Sequence, residues 1–194
     1  MAKLYFNYSS MNAGKSTALL QANHNYIERG MNTILFTSAE DERDGLNEIV
    51  SRIGIKSLAN PFNKTTDLYE YISKNNSKKA INCVLIDEAQ FLSKIQVRQL
   101  GSIVDELNIP VLAFGIRTDF KGELFEGSKY LLAWSDNLKE IKTVCHCGRK
   151  ATMVVRIDSS GKIITEGQQI EVGGNERYVP LCRKDFYAKR LESN

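Results

Sequence analysis

No stretch of this chain is apolar for long enough to cross a bilayer as a helix, which takes roughly 20 consecutive apolar residues. A membrane partner is not expected. Nor does one sign of charge dominate: 26 Lys and Arg stand against 23 Asp and Glu, for a net charge of +3. The basic residues are scattered rather than gathered into a stripe, which argues against nucleic acid and for a small partner. A basic segment, apolar core and small-residue cleavage site are missing ahead of the first apolar run, so the expected location is the cytoplasm. Disulfides are rare there, and the four cysteines need another reading. With 194 residues, 42% hydrophobic and 25% charged, the chain has room for one good core and a small appended module.

What is present starts with Ser9-Ser10-Met11-Asn12-Ala13-Gly14-Lys15-Ser16-Thr17. It follows the apolar, aromatic run Leu4-Tyr5-Phe6 and precedes Ala18-Leu19-Leu20, so the order is strand, loop, helix. In that context Gly-Lys-Ser cradles the phosphates of a nucleotide: loop N–H groups and the helix N-terminus face them, Lys15 neutralises β/γ oxygens, and the Ser16 hydroxyl can ligate Mg²⁺. The usual pattern has a glycine separated from the Gly-Lys pair by four residues. Here that position is Ser9, which disfavours positive φ, so a slightly reshaped loop is expected.

Unalternating strands separated by helices predict a parallel sheet covered on both faces. The first helix runs to about Arg29 and stops at Gly30; Thr33 to Thr37 is the second strand. His24 reads as solvated. The charged segment Ser38 to Gly45 falls at the sheet edge where ligands bind, which gives Arg43 and Arg52 a chance of meeting phosphate. A helix with Leu68, Tyr69 and Ile72 on one face follows, then an exposed turn from Asn75 to Lys79. Next comes Cys83-Val84-Leu85-Ile86-Asp87-Glu88-Ala89-Gln90-Phe91. Cys83 is read as a small buried hydrophobe. The two carboxylates at the strand end place Asp87 towards the phosphate loop as a holder of Mg²⁺, and leave Glu88 to act as base on a hydroxyl or water. Ile95 to Leu107 is an amphipathic helix, Pro110 to Gly115 a fourth strand, and Thr118 to Phe125 a loop whose Phe120 and Phe125 suit stacking on a planar base. Tyr130 to Ile141 reads as a last helix, with Trp134 in the core.

At Thr143 the pattern changes to hairpins, and a boundary near Lys142 is expected, giving modules 1–142 and 143–194. So small a second module needs a staple. Cys145, Cys147 and Cys182 look like three ligands of a structural, tetrahedral Zn²⁺ site. Asp185 is the candidate fourth ligand; His146 is its rival, although in an extended Cys-His-Cys its ring would point away from the two thiolates. Between these arms, Gly173-Gly174 allows close backbone approach to a ligand in the loop Glu166 to Pro180.

The whole chain resembles the cellular (type II) thymidine kinases. The resemblance rests on the phosphate loop, Asp87-Glu88-Ala89-Gln90-Phe91, Thr118-Asp119-Phe120, the Cys145 and Cys147 pair, and Gly173-Gly174-Asn175-Glu176-Arg177-Tyr178 leading to Cys182-Arg183. It implies a P-loop, RecA-like α/β domain with a β-rich zinc and lasso domain, and transfer of the ATP γ-phosphoryl group to the 5′-hydroxyl of thymidine. Further implications are a homotetramer and feedback inhibition by dTTP. By the same resemblance, ATP and Mg²⁺ would be bound by Ser9, Ser10, Met11, Asn12, Ala13, Gly14, Lys15, Ser16, Asp87, Glu88, Ala89 and Gln90, with Glu88 the base. Thymidine would meet Met11, Phe91, Phe120, Phe125, Tyr178 and the lasso residues Ile170, Glu171, Val172 and Gly173. The zinc ligands would be Cys145, Cys147, Cys182 and Asp185, where the family's usual residue at the last position is Cys or His. Two other readings are a P-loop ATPase whose zinc module grips nucleic acid, since Asp-Glu-Ala-Gln resembles a helicase strand end, and a nucleotide-regulated binding protein without turnover. Against the first stand the single short domain and the missing second motor domain.

Overall fold

The computed structural model describes residues 1–40, 47–169 and 177–191. Its centre is a six-stranded sheet made of β1 (Leu4–Ser9), β2 (Thr33–Ser38), β5 (Asn60–Phe62), β6 (Cys83–Ile86), β7 (Val111–Ile116) and β8 (Asn137–Glu140). Their order is β5-β2-β6-β7-β1-β8, and every adjacent pair is parallel. The expected α/β class therefore holds. A parallel sheet must be covered on both sides, and the side-chain alternation shows how. Leu35, Cys83, Leu85 and Phe114 pack with Leu19 and Leu20 of α1 (Lys15–Glu28) on one face. Val84, Ile86, Val111 and Ala113 pack on the other against Leu68 and Ile72 of α2 (Leu68–Asn76), Leu100 and Ile103 of α3 (Lys94–Leu107) and Leu131 of α4 (Glu126–Trp134).

The helix ends follow local chemistry. Asp67 accepts the Glu70 N–H ahead of α2, and Ser93 with Gln96 forms a complete capping box ahead of α3, each satisfying donors the helix leaves open. Where the sequence suggests an exposed turn from Asn75, α2 continues to Asn76. A short hairpin, β3 (Glu48–Val50) with β4 (Lys56–Leu58), precedes β5. Neither it nor β5 is marked by the apolar pattern, and Pro61 fits β5 only because that strand is the sheet's edge.

The expected helix from Tyr130 to Ile141 is corrected. Helix α4 begins at Glu126 and ends at Trp134; Ser135 leaves the helical conformation, and the Asp136 carboxylate accepts the Leu4 N–H at 2.7 Å. That bond delivers the chain to the open edge of β1, where β8 pairs from Asn137 onward. Trp134, expected in the core, is 44% exposed and stacks on Tyr130.

Beyond β8 the chain changes partners. β9 (Thr143–Val144) pairs with β10 (Lys150–Ala151), and β11 (Met153–Ile157) lies between β12 (Ile163–Ile164) and β13 (Tyr178–Leu181). Helix α5 (Arg183–Ala188) closes the module. Its buried cluster is small, with Cys145, Ala151, Val155, Leu181 and Cys182 at the centre. Among the described residues, no helix is long and apolar enough to cross a membrane.

Candidate active site and metal centre

The phosphate loop leaves the C-terminal end of β1, which lies between β7 and β8, and its last residues start α1. Positive φ occurs at Asn12 (63°) and Gly14 (82°), not at Ser9. This removes the expected reshaping: Ser9 is the last strand residue, buried, and needs no conformation that serine resists. Its hydroxyl instead donates to Ser10 O at 2.6 Å and accepts from Lys15 Nζ at 3.2 Å. Lys15 Nζ also reaches Ser10 O at 3.1 Å, so the ammonium is held over the loop that its α1 position brings it to. Met11 and Ala13 are half-buried, while Asn12 and Gly14 are exposed.

β6 ends one residue before Asp87, and its register beside β2 and β7 places that carboxyl at the edge where the phosphate loop lies. Asp87 is hydrogen-bonded to the Ser16 side chain and accepts the Glu88 N–H at 3.0 Å. Burial raises its pKa from 3.8 to about 7, and the neighbouring Glu88 charge adds to this; Ser16, the Glu88 N–H and Lys15 oppose it. A desolvated carboxyl of this kind gains most from a cation arriving beside it. The sign for stability follows from linkage. With the folded pKa above the unfolded one, the stability linked to Asp87 is full below about pH 4 and is lost as pH rises through about 7. Asp87→Asn is therefore expected to melt at a higher temperature than the parent protein at pH 8 in magnesium-free buffer, with the gap closing towards pH 4. Equal melting temperatures at pH 8 would contradict the buried-charge argument.

Glu88 adopts φ 51°, a left-handed conformation uncommon for a residue with a side chain. The chain thus turns sharply after Asp87 and enters a single 3₁₀ turn, Ala89–Phe91. Ala89 and Gln90 are buried in that turn; the Gln90 amide donates to Glu88 Oε2 and accepts from Ile116 N at 3.2 Å. Phe91 meets Phe125 edge-on at 5.9 Å, and Phe125 directly precedes α4. Phe91 and Phe125 are thereby brought together beside the 3₁₀ turn that follows Glu88. Phe120 is buried under the Arg156 guanidinium, 4.0 Å from the ring centre.

Arg156 was not singled out in the sequence, although a lone arginine within Met153-Val154-Val155-Arg156-Ile157 was the visible signal. It is buried at 3% exposure and donates to Gln168 O at 3.3 Å and Glu166 O at 3.4 Å. Gln169 Nε2 donates to Asp119 Oδ2 at 3.0 Å. The start of the glycine-containing loop is thus tied to Asp119 and Phe120. Ile170, Glu171, Val172 and Gly173 lie outside the described residues, as does Arg43. Tyr178 opens β13, opposite Arg156. Arg52 is exposed, and His24 is exposed beside Glu28 at 3.2 Å. Cys83 is fully buried, and burial pushes its thiol up to about 12, as expected of an inert core residue.

The sulfur atoms of Cys145, Cys147 and Cys182 and a carboxylate oxygen of Asp185 all lie within 4.8 Å of one another. The individual edges are Cys147–Cys182 at 3.7 Å, Cys145–Asp185 at 3.4 Å and Cys182–Asp185 at 3.2 Å. A tetrahedron with Zn–S bonds of about 2.3 Å and a Zn–O bond of about 2.0 Å has S···S edges near ~3.8 Å and S···O edges near ~3.5 Å. The donor set therefore fits zinc in both chemistry and size. Asp185 is brought in by the first turn of α5, capped by Cys182, whose Sγ accepts the Asp185 N–H at 3.5 Å.

The extended Cys-His-Cys used to set His146 aside does not occur. Residues 146 and 147 form a turn, closed by Gly148 N donating to Cys145 O at 2.9 Å. The His146 ring faces the cluster, with Nε2 3.5 Å from Asp185 Oδ2. It stands behind the carboxylate rather than replacing it, a position from which an imidazole can orient a ligating group.

A Gly-Lys-Ser loop between a parallel strand and a helix, bonded through its serine to a buried aspartate at the end of β6, one strand removed from β1, defines a P-loop nucleotide enzyme. The Thymidine kinase family model matches residues 2–186. A thymidine kinase of Mannheimia succiniciproducens is 57% identical over 189 residues, covering 97% of both chains. One from Salmonella paratyphi A is 58% identical over 96% of this chain and 91% of its own, and one from Agrobacterium fabrum is 59% identical over 96% of each. The chain belongs to the thymidine kinase family.

Proposed function

We propose that the chain transfers the γ-phosphoryl group of ATP to the 5′-hydroxyl of thymidine, giving dTMP. The observation that carries this reading is the bond between Ser16 and Asp87, which joins the phosphate loop to the acidic strand end with Glu88 next in line. Residues 1–142 form the catalytic module in this reading, and residues 143–194 the zinc and lasso module.

Phosphoryl transfer asks for positioning and charge neutralisation more than covalent chemistry. The amides of Ser9 to Ser16 and the Lys15 ammonium hold the triphosphate, with the Asp87 to Gln90 segment at its edge. Ser16 and Asp87 together hold the Mg²⁺ that accompanies ATP. Glu88 takes the 5′-hydroxyl proton as the hydroxyl attacks. Met11, Phe91, Phe120, Phe125 and Tyr178, with residues 170–173, enclose the nucleoside. Cys145, Cys147, Cys182 and Asp185 hold a structural zinc. We place the enzyme in the cytoplasm as a homotetramer inhibited by dTTP, without nucleic-acid or membrane partners.

One measurement separates this reading from its rivals: ADP release from ATP after adding thymidine, single-stranded DNA, or neither. Release is expected with thymidine alone. Stimulation by DNA would favour a nucleic-acid-dependent ATPase, and release under none of the three conditions a binding protein without turnover.

A further inference from the structure

We propose that Gln90 is a positioning residue that fixes the Glu88 carboxylate to strand β7, and that it acts on the reaction through Glu88 rather than by holding the nucleotide. This rests on the base role proposed above for Glu88.

The two ends of the Gln90 amide are both accounted for. Its oxygen accepts the Ile116 N–H at 3.2 Å, at the C-terminal end of β7. An amide oxygen so occupied turns the NH₂ group the other way, and there it meets Glu88 Oε2. The donor and acceptor assignments support one another, because a flipped amide would set oxygen against carboxylate and NH₂ against N–H. Gln90 is 3% exposed, so water has little access to take the place of these partners, and losing one would leave a buried polar group unsatisfied.

The surroundings leave the amide one seat. A Cβ built on Gly115 would stand 2.8 Å from Gln90 Oε1 and 3.0 Å from Gln90 N. One built on Gly127 would stand 2.4 Å from Ala89 O and 2.8 Å from Gln90 O. Two glycines, in β7 and α4, thus let the 3₁₀ turn pack against strand and helix more closely than any side chain permits. Glu88, at φ 51°, is the residue just ahead of this wedged turn. Its backbone is set by the turn and its carboxylate by the amide. A base must hold its oxygen within hydrogen-bond reach of the attacking hydroxyl, and misplacement by about 1 Å can cost on the order of 10²-fold in rate.

The test measures kcat, KM for thymidine and equilibrium affinity for Mg·ATP in Glu88→Gln, Gln90→Glu, Gln90→Met and the two double variants. Gln90→Glu keeps an oxygen for the Ile116 N–H and replaces the donor to Glu88 with a second carboxylate oxygen. Gln90→Met removes the donor without adding charge, and covers the case in which Gln90→Glu fails to fold. Each is expected to lower kcat by on the order of 10²-fold, with Mg·ATP affinity within about twofold of the parent. Combined with Glu88→Gln, neither is expected to slow the reaction further, because residues that act as one unit do not add. Multiplied losses in the double variants would overturn the proposal. So would a Gln90→Glu enzyme that loses ATP affinity but keeps kcat at saturation, which would assign Gln90 to the nucleotide. Failure of the base assignment itself is read separately, from normal turnover by Glu88→Gln alone.

Discussion

Glu88→Gln is expected to lower kcat by roughly two to four orders of magnitude, while the affinity for Mg·ATP stays near that of the parent protein. The two halves of this result come from different parts of the site. In the proposed mechanism triphosphate binding rests on the loop amides, Lys15, and the Ser16 and Asp87 pair, all of which the substitution leaves in place, and loss of the Glu88 charge only eases ionisation of Asp87. An amide at position 88 keeps the size and shape of the carboxylate beside Gln90 but cannot accept a proton at neutral pH. In the proposed mechanism, what disappears is removal of the hydroxyl proton as the nucleophile forms its new bond. The fall is measured at saturating thymidine and ATP, so that weaker substrate binding does not imitate it, and ATP affinity is measured by equilibrium titration. Near-normal turnover would take Glu88 out of the base role. Loss of ATP affinity in proportion to rate would make it a nucleotide ligand.

The same region shows what a sequence carries and what it does not. Gly14-Lys15-Ser16 and Asp87-Glu88 were legible because each residue type there has a chemical task and each sits at a strand-to-loop junction marked by an apolar run. The metal-ligand cluster was legible because Cys145, Cys147 and Cys182 stand at metal-ligand spacing, and because Asp185 lies three residues beyond Cys182, in the first turn of a helix. Strand β8 was not legible. Asn137-Leu138-Lys139-Glu140 has no strand pattern of its own, and it becomes a strand because β1 has an open edge and Asp136 is bonded to Leu4. The conformation of Ser9 was misjudged for a related reason: which loop positions take positive φ depends on where the strand ends, and here it ends one residue later than the motif suggests. The Gln90 amide is a third case. Its partner Ile116 is distant in the chain, and only the packing of β7 against the 3₁₀ turn brings donor and acceptor together.

Purified protein is expected to carry about one zinc per chain, and its removal is expected to unfold the module that begins near Thr143 and to abolish thymidine phosphorylation. The expected size of the effect follows from how little else holds the module. Among the described residues its buried cluster centres on five, two of them the proposed ligands Cys145 and Cys182, whereas structural zinc contributes about 10–16 kcal/mol of apparent binding energy in small domains near pH 7. The module also supplies contacts to the catalytic half, with Ser10 Oγ bonded to Ala151 O at 3.5 Å and Arg117 to Thr152 O at 3.4 Å. Loss of the metal therefore reaches the phosphate loop. Proton competition sets the conditions under which it leaves. Hydrogen bonding to Asp185 pushes the Cys147 thiol up to about 11, and the Cys147 and Cys182 thiols hold the Asp185 carboxyl down at about 2. Zinc must displace the thiol protons to bind, so affinity falls as pH falls and chelation proceeds faster at pH 6 than at pH 8. Asp185→Cys is expected to tighten binding by exchanging a hard oxygen for a soft thiolate, and Asp185→Ala to loosen it by opening the fourth position. Elemental analysis, competition with a chromophoric chelator and melting curves with and without metal measure each step. A metal-free protein with an unchanged melting temperature and full activity would remove zinc from the account of how this module folds.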